Sequence, residues 1–142
     1  MTDLAIPDVN VLVALTNPAH EFHREAHRWL AGTSRYATTP ITESGLLRML
    51  LNPVVTGQPV STRLALTILA GVRTDRRAEF LPDDTSLTDA AVDTTGLTGH
   101  RQVTDWHLTN LAARHDAVLV TFDRRLAAAM VPADAARVHA LG

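Results

Sequence analysis

Two acidic residues stand directly behind apolar runs. Asp8 follows Ala5-Ile6-Pro7, and Asp123 follows Val118-Leu119-Val120-Thr121-Phe122. Two more, Glu43 and Asp105, fall in the first turns of predicted helices, where the positive end of the helix dipole favours an ionised carboxylate. Four carboxylates brought into one cleft repel and raise one another's proton affinity unless a cation offsets them. A hard divalent ion with oxygen ligands meets that need. Mg²⁺ keeps several waters and takes only one or two direct carboxylates, and Mn²⁺ accepts the same donors. Such an ion activates water and stabilises charge on a leaving oxygen, which makes a phosphodiester the natural substrate.

For this chemistry the chain must carry the four acids to one place. The pattern predicts a strand over Leu4 to Pro7, a short helix from Asn10 to Thr16, and a second helix from about His20 to Ala31 with Phe22, Ala26, Trp29 and Leu30 as its apolar stripe. A strand over Arg35 to Thr38 leads to Thr39-Pro40, which reads as an N-cap and first turn. The helix that follows carries Glu43 and ends at Asn52-Pro53. A loop from Pro53 to Pro59, a helix from about Ser61 to Val72, a short strand over Glu79 to Leu81 and a short helix from Ser86 to Asp93 come next. Thr104 is expected to cap a helix from Asp105 to His115. Ala117 to Thr121 reads as a strand buried on both faces. A helix from Arg124 to Met130 and an edge strand over Arg137 to Ala140 close the chain. Strands alternating with helices predict an α/β/α sandwich around a mainly parallel sheet. Ligands of such sheets bind beyond the carboxyl ends of the strands, where Asp8 and Asp123 lie.

Composition narrows the field. The 142 residues suit one compact domain over 1–142, 46% are hydrophobic and 20% charged, and there is no cysteine, which excludes disulfides and thiolate metal sites. Net charge is -2 and all 13 basic residues are arginine, so contact with a polyanion must be local and arginine-borne. No run approaches the roughly 20 apolar residues of a membrane span. A soluble, cytoplasmic protein is expected.

The motifs Asp8-Val9-Asn10-Val11-Leu12, Thr42-Glu43-Ser44, Thr104-Asp105-Trp106-His107-Leu108 and Val120-Thr121-Phe122-Asp123-Arg124-Arg125-Leu126 resemble, in order, the four acidic motifs of PIN domains. Their spacing is similar to that of the toxin ribonucleases of bacterial VapBC toxin–antitoxin modules. The resemblance implies that Asp8 and Asp105 are the principal Mg²⁺ ligands. It makes Asp123 and Glu43 complete the acidic site, and Asn10 and Thr121 orient the carboxylates. It further implies an endoribonuclease that cuts cellular RNA such as tRNA or ribosomal RNA, a homodimer, and a small VapB-like antitoxin that blocks the site. Pro53 to Gly99 carries no diagnostic motif.

Other readings stand beside these. Each acid taken singly suits a turn or a helix start. An aspartyl-nucleophile phosphohydrolase would want Asp-x-Asp and a lysine, but the third position is Asn10 and the chain has no lysine. A non-catalytic PIN-like module that binds RNA or protein is the other alternative. His20, His23 and His27 form a stripe that reads as a solvated face, supported by Glu21–Arg24 and Glu25–Arg28 pairs, or as part of a zinc site lacking a fourth ligand. Arg124 and Arg125 suit either phosphate contact or a solvated helix start. Trp29 reads as a core anchor, and Asp83, Asp84 and Asp116 as turn acids.

Overall fold

The computed structural model describes residues 3–142. Five strands, β1 (Leu4–Pro7), β2 (Arg35–Thr38), β3 (Ala78–Phe80), β4 (Val118–Thr121) and β5 (Val138–Ala140), form one sheet in the order β3-β2-β1-β4-β5. Every pairing is parallel, so the sheet is wholly parallel, beyond the mainly parallel one expected. The chain steps outward from β1 to β2 and β3, then returns to lay β4 against the other side of β1. The order therefore reverses between β1 and β4, and a crevice opens there beyond their carboxyl ends.

Burial of β1 and β4 on both faces gives the layers. Leu4, Ile6 and Leu119 enter a core with Trp106, Leu108, Ala112 and Leu126 from α6 (Val103–Arg114) and α7 (Arg125–Ala128). Their neighbours Ala5 and Val120 enter the opposite core with Val11, Tyr36, Trp29 and Leu30, on the side of α1 (Val9–Thr16) and α2 (His23–Ala31). The side-chain period of two thus sends alternate residues to different layers, which is why the strands read as unbroken apolar runs. A further core joins α1 to α3 (Pro40–Leu50) and α5 (Thr62–Thr74) through Leu12, Val13, Leu46, Leu50, Ala65 and Leu69. No described helix is long and apolar enough to cross a membrane.

Several elements differ from expectation. The helix expected from His20 starts at His23, because the His20 ring accepts the Phe22 N–H (3.0 Å) and holds the chain in a turn. The loop after Asn52 contains the short α4 (Pro53–Thr56), capped by the Asn52 side chain and ended by Gly57 at φ 80°. The helix expected over Ser86 to Asp93 shrinks to a 3-10 turn at Leu87–Asp89. Thr104 does not cap α6, which already begins at Val103. Instead the Gln102 side-chain oxygen accepts the N–H groups of Thr98 and Gly99 just before it. A last short helix, α8 (Pro132–Ala135), was not foreseen.

The histidine stripe is solvent-facing only in part, since His20 and His23 are half-buried and His27 is exposed, and among the described residues no group of three histidine or acidic side chains could hold a metal ion. His23 Nδ1 donates to the Ala14 carbonyl (2.7 Å) and His27 Nε2 to the Leu15 carbonyl (2.9 Å). The two rings satisfy carbonyls at the end of α1, where no intrahelical partner exists.

One glycine fixes the approach of α3 to α1. A Cβ on Gly45 would lie 2.4 Å from Val9 Cγ2, and a valine in a helix has almost no rotamer freedom with which to yield. Gly45→Ala is expected to cost about 1–3 kcal/mol in urea denaturation, as overpacking does. Adding Val9→Ala should restore most of that loss, whereas wild-type stability in the single variant would contradict the close approach.

Candidate active site at the carboxyl edge of the sheet

The site is built around one hydroxyl. Thr121 ends β4 and is wholly buried. Its Oγ1 donates to Asp8 Oδ2 (3.0 Å) and accepts from Asn10 Nδ2 (3.1 Å) and from the Asp123 N–H (3.1 Å). The Asn10 side-chain oxygen accepts the Phe122 N–H (3.2 Å) in turn. A hydroxyl has one proton and two lone pairs, so Thr121 is fully satisfied. Asp8 is the N-cap of α1, and its Oδ1 accepts the Val9 N–H (2.7 Å). The end of β1, the start of α1 and the turn after β4 are thereby pinned to one another.

Asp105 reaches the same region from the first turn of α6. It shares with Asp123 the wall of a cavity of about 250 Å³. Burial, then the charges of Asp8 and Asp123, push its carboxyl up to about 6, against a weaker opposing pull from Arg125. Burial likewise raises Asp8, although the Val9 N–H and the Thr121 hydroxyl hold it down and Asp123 adds repulsion. Asp123 moves the other way. The Arg125 guanidinium donates to both of its oxygens (3.2 and 3.3 Å) and keeps its carboxyl below the usual range. The Arg125 side chain is 92% exposed, so it grips Asp123 from the solvent side and does not fill the space between the acids.

Glu43 is held differently. Its Oε2 accepts the Thr38 hydroxyl at the end of β2 (2.7 Å), and its Oε1 faces Arg73 from the end of α5 (3.5 Å). Thr39 and Thr42 cap α3 reciprocally and fix the turn that presents Glu43. The structure thus couples Asp8, Asp105 and Asp123 through their charges, while Glu43 stands on the β2 side with partners of its own.

The oxygen donors suit a hard cation. Among the described residues, no three acidic or histidine side chains are close enough to grip an ion directly. Mg²⁺ does not require that, since it retains much of its hydration shell and binds through one or two carboxylates. An excess of mutually repelling carboxylates, with one exposed guanidinium beside them, fits such an ion.

With this geometry in view, the sequence pattern of the PIN domain matches residues 5–130. The chain belongs to the PIN-domain family. Within it, Ribonuclease VapC39 of Mycobacterium tuberculosis is 42% identical over 126 residues, covering 87% of this chain and 91% of that protein. Ribonuclease VapC38 of the same organism is 40% identical over 122 residues, covering 84% and 85%. Ribonuclease VapC44 is 37% identical over 131 residues, covering 90% and 92%. Among solved structures, that of the M. tuberculosis sarcin-ricin-loop-cleaving toxin VapC20 superposes with a TM-score of 0.61, covering 89% of this chain and 96% of that one. At 16% identity it speaks for the fold alone.

In this PIN domain the sequence reading named Asp8, Glu43, Asp105 and Asp123 with Asn10 and Thr121 as supports, and missed the partners of Glu43. Thr38 stands one residue before the N-cap Thr39 and was readable as a candidate support for Glu43. Arg73 was not, because 30 positions separate it from Glu43 and only the packing of α5 on α3 brings it near.

Two outcomes follow for the PIN site. Thr121→Val strands Asp8 Oδ2, Asn10 Nδ2 and the Asp123 N–H at once. It should cost about 1–3 kcal/mol or more in denaturant, beyond the loss from Asn10→Ala alone. Asp105 binds its proton more tightly folded than unfolded, so its ionisation opposes folding above about pH 6. That penalty fades as pH falls from about 6 to the ordinary aspartate value of 3.8. In buffer without divalent cations, Asp105→Asn should therefore stabilise the protein at pH 7.5, on the order of 1–2 kcal/mol after allowance for partial exposure. The gain should vanish near pH 4, and a gain independent of pH would refute the assignment.

Proposed function

We propose that this protein is a Mg²⁺-dependent endoribonuclease acting as the toxin of a toxin–antitoxin pair, with Mn²⁺ as a possible substitute ion. The observation that carries the reading is the set of three charge-coupled carboxylates, Asp8, Asp105 and Asp123, beyond the carboxyl ends of β1 and β4. Relatives that bear the name ribonuclease over nearly their whole length support RNA as the substrate.

In this reading Asp8 and Asp105 hold the ion, while Asp123 and Glu43 complete the acidic site through bound waters or a second ion. When bound, the ion supplies activated water and stabilises charge on the phosphate oxygens. The side chains do the positioning. Thr121 and the Val9 N–H fix both oxygens of Asp8, so that carboxylate meets its ligand without reorganising. Asp105 must give up the proton that burial and its neighbours encourage it to keep, which ties occupancy of the site to pH. Thr38 and Arg73 hold Glu43 extended along the same edge. In the hydrolysis a water oxygen bonds to phosphorus, one phosphoester bond breaks, and the departing ribose oxygen takes up a proton.

The partners in this reading are an RNA substrate, a VapB-like antitoxin that occludes the carboxylates, and a second copy of the chain in a homodimer.

Wild type, Asp8→Asn and Asp105→Asn are to be expressed in bacteria, with growth followed and RNA ends mapped. Wild type should arrest growth and generate new RNA ends, and both variants should lose at least about a hundredfold of the cleavage, as removal of a transition-state-stabilising group does. Millimolar Mg²⁺ should raise the melting temperature of wild type and leave Asp105→Asn nearly unmoved. Growth arrest and cleavage undiminished in both variants would overturn the reading.

A further inference from the structure

The cavity of about 250 Å³ beside Asp105 and Asp123 has features that the carboxylates do not use. It is backed by Leu126 and the fully buried Trp106 of the main core. Its rim carries Arg101, Gln102 and Arg125. Arg101 is exposed and makes no hydrogen bond or ion pair among the described residues. The Gln102 side-chain oxygen is already occupied by the N–H groups of Thr98 and Gly99. Only its NH₂ group therefore has hydrogen-bonding capacity left, and it can only donate.

The volume lies below the roughly 300–1,000 Å³ typical of sites for drug-sized ligands, which suits one planar ring system rather than a longer ligand. An amide donor takes an acceptor on the edge of a base, and guanidinium forks take phosphate oxygens. The acidic wall repels an anion unless a cation offsets it, so the phosphate enters where the carboxylates hold their ion. This inference rests on the nuclease reading above. We propose that the cavity seats the single RNA nucleotide flanking the cleaved phosphodiester, with the edge of its base read by Gln102 and its phosphate held by Arg101 and Arg125. The cavity would then set the base preference at that position. Arg101 and Gln102 are specificity and positioning residues and take no part in bond breaking.

The test uses a randomised single-stranded RNA pool, with cut sites mapped by end sequencing and binding followed by fluorescence anisotropy. Arg101→Ala, Gln102→Glu and, as a distant control, the exposed Arg63→Ala on α5 are compared with wild type. Gln102→Glu keeps the oxygen that holds Thr98 and Gly99 while replacing the donor by an acceptor. The Mg²⁺-induced rise in melting temperature, recorded for each, reports whether the carboxylate site remains intact. Arg101→Ala is expected to weaken RNA binding by about tenfold, as loss of one charged hydrogen-bonding partner does. Gln102→Glu is expected to change the preferred base at one position next to the cut, with a Mg²⁺ response at least as large as wild type because it adds a carboxylate to the cavity wall, and Arg63→Ala should match wild type throughout. Wild-type affinity and an unaltered cut-site profile in both rim variants would overturn the nucleotide site while leaving the nuclease reading standing. Conversely, RNA bound but never cut by wild type, with binding weakened by Arg101→Ala, would sustain the nucleotide site and overturn the nuclease reading.

Discussion

Holding like charges together is costly, and a parallel sheet with a reversal in strand order concentrates them where that cost must be met. In this chain three carboxylates converge on the gap beyond β1 and β4, and each is treated differently. Asp8 is buried and pinned by two donors. Asp123 is neutralised from the solvent side by Arg125. Asp105 has neither device, and burial together with the repulsion shows as a raised proton affinity. The imbalance is directional, and in the proposed nuclease reading it marks Asp105 as the acid that exchanges a proton for a metal ion.

The hydroxyl of Thr121 is what permits this convergence. One buried oxygen ties the strand that delivers Asp123 to the helix start that delivers Asp8, with Asn10 bracing the turn from the other side. These contacts span more than 110 positions of sequence, so they join the two ends of the fold at the site itself. The two halves of the sheet meet at the same place, because β4 pairs with β1 along Ala5 to Pro7. Positioning of the acids and closure of the fold are one set of interactions.

Much of this was legible in the residues. The alternation of apolar strands with helices gave the sandwich, and the acids that follow β1 and β4 declared their edge, because a carboxylate directly after a buried run must emerge at its carboxyl end. Thr39-Pro40 marked the start of α3 for the plain reason that capping and proline chemistry are local. What remained hidden was non-local. The histidines at 23 and 27 looked solvated because nothing near them in sequence announces the free carbonyls of Ala14 and Leu15. Asp83 and Asp84, read as turn acids, pair instead with His107 (2.5 Å) and His115 (2.8 Å) and fasten the segment after β3 onto α6. Periodicity identifies a helix face but not the element that will cover it.

The central claim is that burial, and then the charges of Asp8 and Asp123, disfavour the ionised form of Asp105, and that in the proposed function a divalent cation relieves it. The direct measurement is a ¹³C NMR titration of its side-chain carboxyl, with and without millimolar Mg²⁺. The account predicts a midpoint near 6 without the ion and a clear fall toward or below the ordinary carboxylate range when Mg²⁺ is present. A midpoint near 4 in both conditions, or one near 6 that Mg²⁺ leaves unmoved, would contradict it.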